Sequence, residues 1–231
     1  MTNHQKSLVS VFFPSRGVTY SYLNDAFDLK VGDLVFVEGC LSGVRGEVKE
    51  VSHSFRIKPS VYKRVIAVAD TAVCGEFFSL DENFLTYDLD ALNFEKVLSW
   101  FKPPENEEFL EVRNGEFFSL CEMKKLGASA RVIELGVDYY KNERVLFLEV
   151  SSSKVRAIVA GEDYYTVEFD WRDGEVSSPV CSCFCTGACK HEVAVLLKLK
   201  ELLKSVKKTP FCAISKGVLA RFVKSNGFVI K

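Results

Sequence analysis

Four of the eight cysteines of this 231-residue chain fall within nine positions, Cys181-Ser182-Cys183-Phe184-Cys185-Thr186-Gly187-Ala188-Cys189, and Lys190-His191 follows at once. The run stands between a strand-like segment, EVSSPV, and a strongly apolar helical one, HEVAVLLKLKELLKSV. Residues two apart on a strand project to the same side, so Cys181 and Cys183 can aim both sulfurs at one point. Cys189 and His191 lie where the chain turns into the helix, and side chains of a first turn can converge on that same point. Gly187 is expected to let the linking loop close. The chain therefore has to fold so that a strand end and a helix start meet.

Soft thiolates with one imidazole are the donor set that Zn²⁺ takes in tetrahedral sites, and four protein ligands leave no open position for an activated water. Cys181, Cys183, Cys189 and His191 are thus read as metal ligands of a structural, non-catalytic centre. Cys185 offers a nearby thiolate that could replace Cys183, although the strand-end pair needs no loop distortion. The first thirteen residues, MTNHQKSLVSVFF, lack the pattern of a signal peptide, and no apolar run reaches membrane-spanning length. A cytoplasmic protein is expected, and a reducing compartment favours metal ligation over disulfides. Cys40, Cys74, Cys121 and Cys212 are scattered among apolar neighbours and read as core residues.

Cys-x-Cys-x5-Cys-x-His between a hairpin and an apolar helix resembles the SWIM zinc finger. Upstream, Gly136-Val137-Asp138-Tyr139-Tyr140, VLFLEV, VRAIVAGEDYYTVEF and Cys-Ser-Cys follow in the order usual for bacterial SWIM proteins. The spacer of Phe184 to Ala188 is shorter than the family's. The resemblance implies a helix over residues 130–140, a Zn²⁺ cofactor, and binding of DNA or of proteins, with many relatives standing beside helicase-type ATPases.

The five short apolar bursts LVSVFF, VTYSYL, LVFVEG, GEVKEV and KRVIAVA, separated by glycines, read as five antiparallel strands of a small barrel over residues 1–73. VGDLVFVEG followed by GVRGEVKEV resembles the KOW-type, SH3-like barrel. Tyr20-Ser21-Tyr22 and Val31-Gly32-Asp33 resemble the N-terminal barrel of primosomal helicases.

Residues 74–125 are acidic and expected to form a helical connector. Within them Gly75-Glu76-Phe77-Phe78-Ser79-Leu80 recurs as Gly115-Glu116-Phe117-Phe118-Ser119-Leu120, and Glu82 and Glu122 follow each serine by three, a capping-box spacing that reads as two helix entries. LDALNFEKVLSWF reads as a helix stopped by Pro103-Pro104. Residues 126–231 then read as an antiparallel meander, the metal-binding run, a long helix over 191–206 and a shorter closing helix over 215–223. The expected fold class is α+β: barrel, helical acidic middle, and meander with zinc finger and helices.

The formal net charge is −1, but from residue 181 onward ten lysines and arginines face only Glu192 and Glu201. Clustered lysines release counterions on binding nucleic acid, so Lys190, Lys198, Lys204, Lys207 and Lys208 are candidate phosphate contacts. The alternative is the solvated face of an amphipathic helix. Tyr164, Tyr165, Trp171 and Phe184 could stack on bases or serve as cross-strand packing. DNA is expected ahead of RNA, or else a protein partner such as a separately encoded helicase. His4 and His53 have no neighbours that make a site, no carboxylate pair is placed for acid-base work, and no phosphate-binding glycine loop occurs. No enzymatic activity, small-molecule substrate or membrane partner is expected.

Overall fold

The computed structural model describes residues 6–73, 75, 77–79, 84–87, 90–103, 117–120, 122–151, 153–172, 175–177, 179–206 and 218–222. The chain divides into two compact units, residues 1–72 with 95–107, and residues 73–94 with 108–231. The stretch 74–125, expected as one helical connector, is instead shared between the units, and its described residues hold one short helix, α1 (Phe94–Ser99), a 3₁₀ turn over Met123–Leu126 and short strands.

The first unit is built on β1 (Ser7–Phe13), β2 (Val18–Asn24), β3 (Leu34–Val37), β4 (Gly46–Ser52) and β5 (Val65–Ala69), one antiparallel sheet in the order β2-β1-β4-β3-β5. All five expected strands form where alternation placed them. The inward residues of β1, Val9, Val11 and Phe13, are fully buried against Val35, Val37 and Val48. Gly46 is required there, because a Cβ would stand 2.3 Å from Val11 Cγ1. The Val31-Gly32-Asp33 turn holds Gly32 at φ +97, with the Lys30 N–H donating to Asp33 Oδ2 at 2.7 Å.

The expected barrel does not close. The two edge strands meet at one bridge, Leu23 to Arg64, where the Leu23 N–H donates to the Lys63 carbonyl at 2.8 Å, and no ladder joins β2 to β5. The C-terminal part of α1 and the turn after it belong to this unit: Trp100 Nε1 donates to the Asp70 carbonyl at 2.7 Å, and Arg45 donates to the Trp100 carbonyl and lies over the Phe101 ring. The helix is shorter than LDALNFEKVLSWF promised, and ends ahead of Pro103.

The second unit is a nine-stranded antiparallel sheet. Along it run β6 (Phe77–Ser79), β7 (Phe84–Tyr87), β14 (Val218–Phe222), β9 (Val145–Val150), β10 (Lys154–Ala160), β11 (Tyr164–Arg172), β12 (Glu175–Val176) and β8 (Phe118–Ser119), while β13 (Val180–Cys181) also pairs with β11. The expected meander is β9 to β13. The repeated hexapeptide does not start two helices. Its copies supply β6 and β8, the strands at the two ends of the sheet. Glu122 makes no side-chain cap to the 3₁₀ turn after it, and Glu82 lies outside the described residues. The Phe-Phe-Ser core has strand propensity, and ladder pairing with β7 and β12 decides its state.

A second correction falls at the C-terminal side. Residues 218–222, expected in a helix, form β14, hydrogen-bonded to β7 on one edge and β9 on the other. A slot between two strands satisfies its backbone on both sides, and this pairing decides its state.

Two helices cover one face of this sheet's meander. In α3 (Lys190–Val206), Ala194, Val195, Leu196, Leu199 and Leu202 are buried with Val155, Ala157, Val159 and Val167 of β10 and β11. The amphipathic α2 (Ala130–Lys141), capped by Ser129 Oγ accepting from the Val132 N–H, lies alongside α3. Their close approach is set by Gly136, where a Cβ would be 2.4 Å from Val193 Cβ and 3.0 Å from the Lys190 carbonyl. On the other face Glu149, almost fully buried, is opposite Arg156 and pairs with its Nε at 2.7 Å, while Tyr87 donates to Glu149 Oε2. Burial, then the charge of Glu149, pushes the Tyr87 phenol well above its ordinary range.

Gly136→Ala improves intrinsic helix propensity yet is expected to destabilise the second unit by about 1–3 kcal/mol, because the added methyl overpacks the α2–α3 contact. Urea unfolding followed by far-UV circular dichroism checks the sign.

Candidate metal centre

Strand β13 ends on Cys181, helix α3 starts after Cys189, and residues 182–188 join them. The strand end is pinned twice to β11: the Ser182 N–H donates to the Thr166 carbonyl at 3.0 Å, and the Thr166 N–H donates to Ser182 Oγ at 3.0 Å. Gly187 does not adopt a left-handed conformation, and a Cβ there would meet nothing within 4 Å, so loop closure does not depend on glycine.

The helix end is built around a thiol. Cys189 occupies the cap position, its N–H donates to Glu192 Oε2 at 2.9 Å, and the Glu192 N–H donates to Cys189 Sγ at 3.5 Å. This is a capping box in which sulfur replaces the usual hydroxyl oxygen. Glu192 is 1% exposed, which its reciprocal bonding explains.

These two anchors bring Cys181, Cys183, Cys189 and His191 together, with their ligand atoms all within 4.8 Å of one another. His191 Nδ1 is 3.6 Å from Cys181 Sγ and 3.8 Å from Cys189 Sγ. Bond lengths of about 2.3 Å to sulfur and 2.0–2.1 Å to nitrogen around a tetrahedral ion place S and N about 3.6 Å apart, which these two distances match. Cys185 is exposed and outside this group, whereas Cys183 is inside it.

His191 is oriented by aromatic rings. Tyr165 stacks on it at 4.4 Å between centroids with a 20° interplanar angle, and Tyr139 meets it edge-on at 5.3 Å. Nδ1 faces the sulfurs while the buried Nε2 has no hydrogen-bond partner. Gly161 makes room for the pair, since a Cβ would lie 2.8 Å from the Tyr165 ring and 3.4 Å from His191 Nε2. The Gly-x-x-Tyr-Tyr element thus places Gly136 at the helix crossing and Tyr139 on the histidine.

The thiols divide their protons unequally. Cys189 is lowered to about 4 by its hydrogen bond with Cys181, helped by His191 and the Glu192 N–H against the cost of burial. Cys181 is pushed far up, first by that same bond and then by burial, and burial pushes Cys183 up to about 12. Thiols bind a metal as thiolates, so loading one here is coupled to proton release. The Lys190 ammonium lies 4.8 Å from the Tyr139 ring centre, and its pKa is raised chiefly by its hydrogen bond with that tyrosine.

The candidate phosphate contacts fare differently. Lys198 is 3% exposed, ion-paired to Glu201 at 2.7 Å and Glu143 at 3.4 Å, with its ammonium over the Tyr140 ring. Its burial removes it from a phosphate-contacting surface, because α2 and the turn after it cover that side of α3. Lys204 is exposed, and Lys207 and Lys208 lie outside the described residues. Among the aromatic candidates, Tyr165 is committed to His191, Trp171 packs against the core, Tyr164 is half-buried, and Phe184, at the tip of the loop, is fully exposed. Sequence reasoning missed Glu192 as a supporting residue; its signal was the Cys-x-x-Glu spacing, which equals that of a capping box.

No helix among the described residues is long and apolar enough to cross a membrane. Comparison with family models, curated proteins and solved structures finds no match for this chain.

Removing the carboxylate in Glu192→Ala is expected to cost about 0.5–2 kcal/mol in stability and to weaken metal affinity about 10–100-fold. Competition titration with a chromogenic chelator reads the second effect independently of folding.

Proposed function

We propose that this chain is a zinc-binding, non-enzymatic recognition protein with a SWIM-type centre. The observation carrying the zinc reading is the convergence of three sulfurs and one imidazole nitrogen within 4.8 Å. Cys181, Cys183, Cys189 and His191 would hold the ion. Three thiolates and one imidazole favour zinc over the hard cations, and a filled tetrahedron suits structure rather than hydrolysis. Bound there, zinc would staple β13 to the start of α3.

The surface so fixed is proposed to bind nucleic acid, DNA ahead of RNA. The support is the excess of basic residues after position 181, with Lys204 exposed near the end of α3 and Lys207 and Lys208 next in sequence. A protein-interaction role, as adaptor for a separately encoded helicase-type ATPase, is the second reading. Two observations favour it: Lys198 is buried in ion pairs, and the fully exposed Phe184 offers an apolar anchor of the kind protein interfaces use.

Purified protein is expected to carry one zinc per chain, lost in Cys183→Ser and retained in Cys185→Ser, as read by elemental analysis; no bound metal in the wild type overturns the zinc reading. DNA binding is expected to weaken steeply with salt and to vanish on charge reversal of Lys204, Lys207 and Lys208. Absence of binding at low salt with zinc in place sinks the DNA reading in favour of the adaptor.

A further inference from the structure

The thiol left out of the ligand set stands at its entrance. Cys185 is exposed, Cys183 and Cys181 are half-buried, and Cys189 is buried, so a small oxidant reaching the centre from solvent meets Cys185 first. Cys183 and Cys185 stand two residues apart in the same loop. The chain bends at Phe184, between them. Residues two apart at a bend have Cα atoms about 5.5 Å apart, inside the span of about 4.4–6.8 Å that a disulfide bridges. Phe184 points fully into solvent, so nothing packed on the loop opposes the small rotation needed.

We infer that Cys183 and Cys185 form a reversible oxidation site for peroxides, whose closure withdraws Cys183 from the metal centre. The Cys185 sulfur attacks one peroxide oxygen, the O–O bond breaks, and the sulfur becomes a sulfenic acid as the first water leaves. The Cys183 sulfur then attacks the Cys185 sulfur, forming the S–S bond and expelling the hydroxyl as the second water. The peroxide takes up two electrons, and the two thiols together lose two electrons and two protons. Cys181, Cys189 and His191 remain as an incomplete donor set. The metal-releasing half rests on the zinc reading above; the disulfide half does not.

The test treats full-length zinc-loaded wild type and Cys185→Ser, which keeps all four ligands, with hydrogen peroxide in the presence of a chromogenic zinc chelator. Wild type is expected to release zinc about tenfold faster than the variant, to show a Cys183–Cys185 bridge by peptide mass mapping, and to rebind zinc after dithiothreitol. Equal release rates, a Cys181–Cys189 bridge, or Cys185 carried to sulfinic acid with Cys183 still reduced overturn the inference. If untreated protein holds no zinc, that is the failure of the metal reading, and the mass map of the peroxide-treated chain still decides whether the two cysteines join.

Discussion

The start of α3 is the constraint on which the second unit depends. Cys189 caps the helix through its own sulfur, Glu192 returns the bond, and His191 extends from the same turn to face Cys181. The next turns carry Ala194, Val195, Leu196 and Leu199 into the core shared with β10 and β11. Donor geometry and core packing therefore share one rigid element. A shift in the register of α3 against the sheet would misplace two members of the Cys/His cluster and a row of buried side chains together.

What surrounds the centre is mostly apolar or aromatic. The imidazole has a stacked tyrosine, an edge-on tyrosine and a glycine beside it, and its outer nitrogen has no polar partner. Such packing fixes ring orientation by shape, where many metal sites use a carboxylate or carbonyl behind the histidine. On the sheet's other face a polar cluster of Glu149, Arg156 and Tyr87 ties β7, β9 and β10 together.

Much of this was legible in the chain itself. The five strands of the first unit follow from alternation and glycine spacing, and the gathering of Cys181, Cys183, Cys189 and His191 from the i, i+2 pattern at a strand end beside a helix start. The errors share one origin. Gly-Glu-Phe-Phe-Ser-Leu and the segment at 218–222 have no decisive period of their own, and their states are chosen by partners remote in sequence, β12 for the second copy and β7 and β9 for the last strand. Lys198 reads as a surface lysine until Glu143, fifty-five residues away, is brought to it. Barrel closure likewise depends on whether two distant edges meet, which here they do at a single bridge.

The position of β14 has a consequence for how the second unit comes together. It lies between β7 and β9, so the hairpin of β6 and β7 and the meander that begins at β9 touch the same strand but are not ladder neighbours of each other. During synthesis both halves emerge long before residues 218–222. Until then β9 presents an unpaired edge to the cell, and such an edge is a template for pairing with other chains. The unit is thus a sheet with a late keystone: the risk of aggregation falls in the interval between making β9 and delivering β14, and ends when the gap is filled.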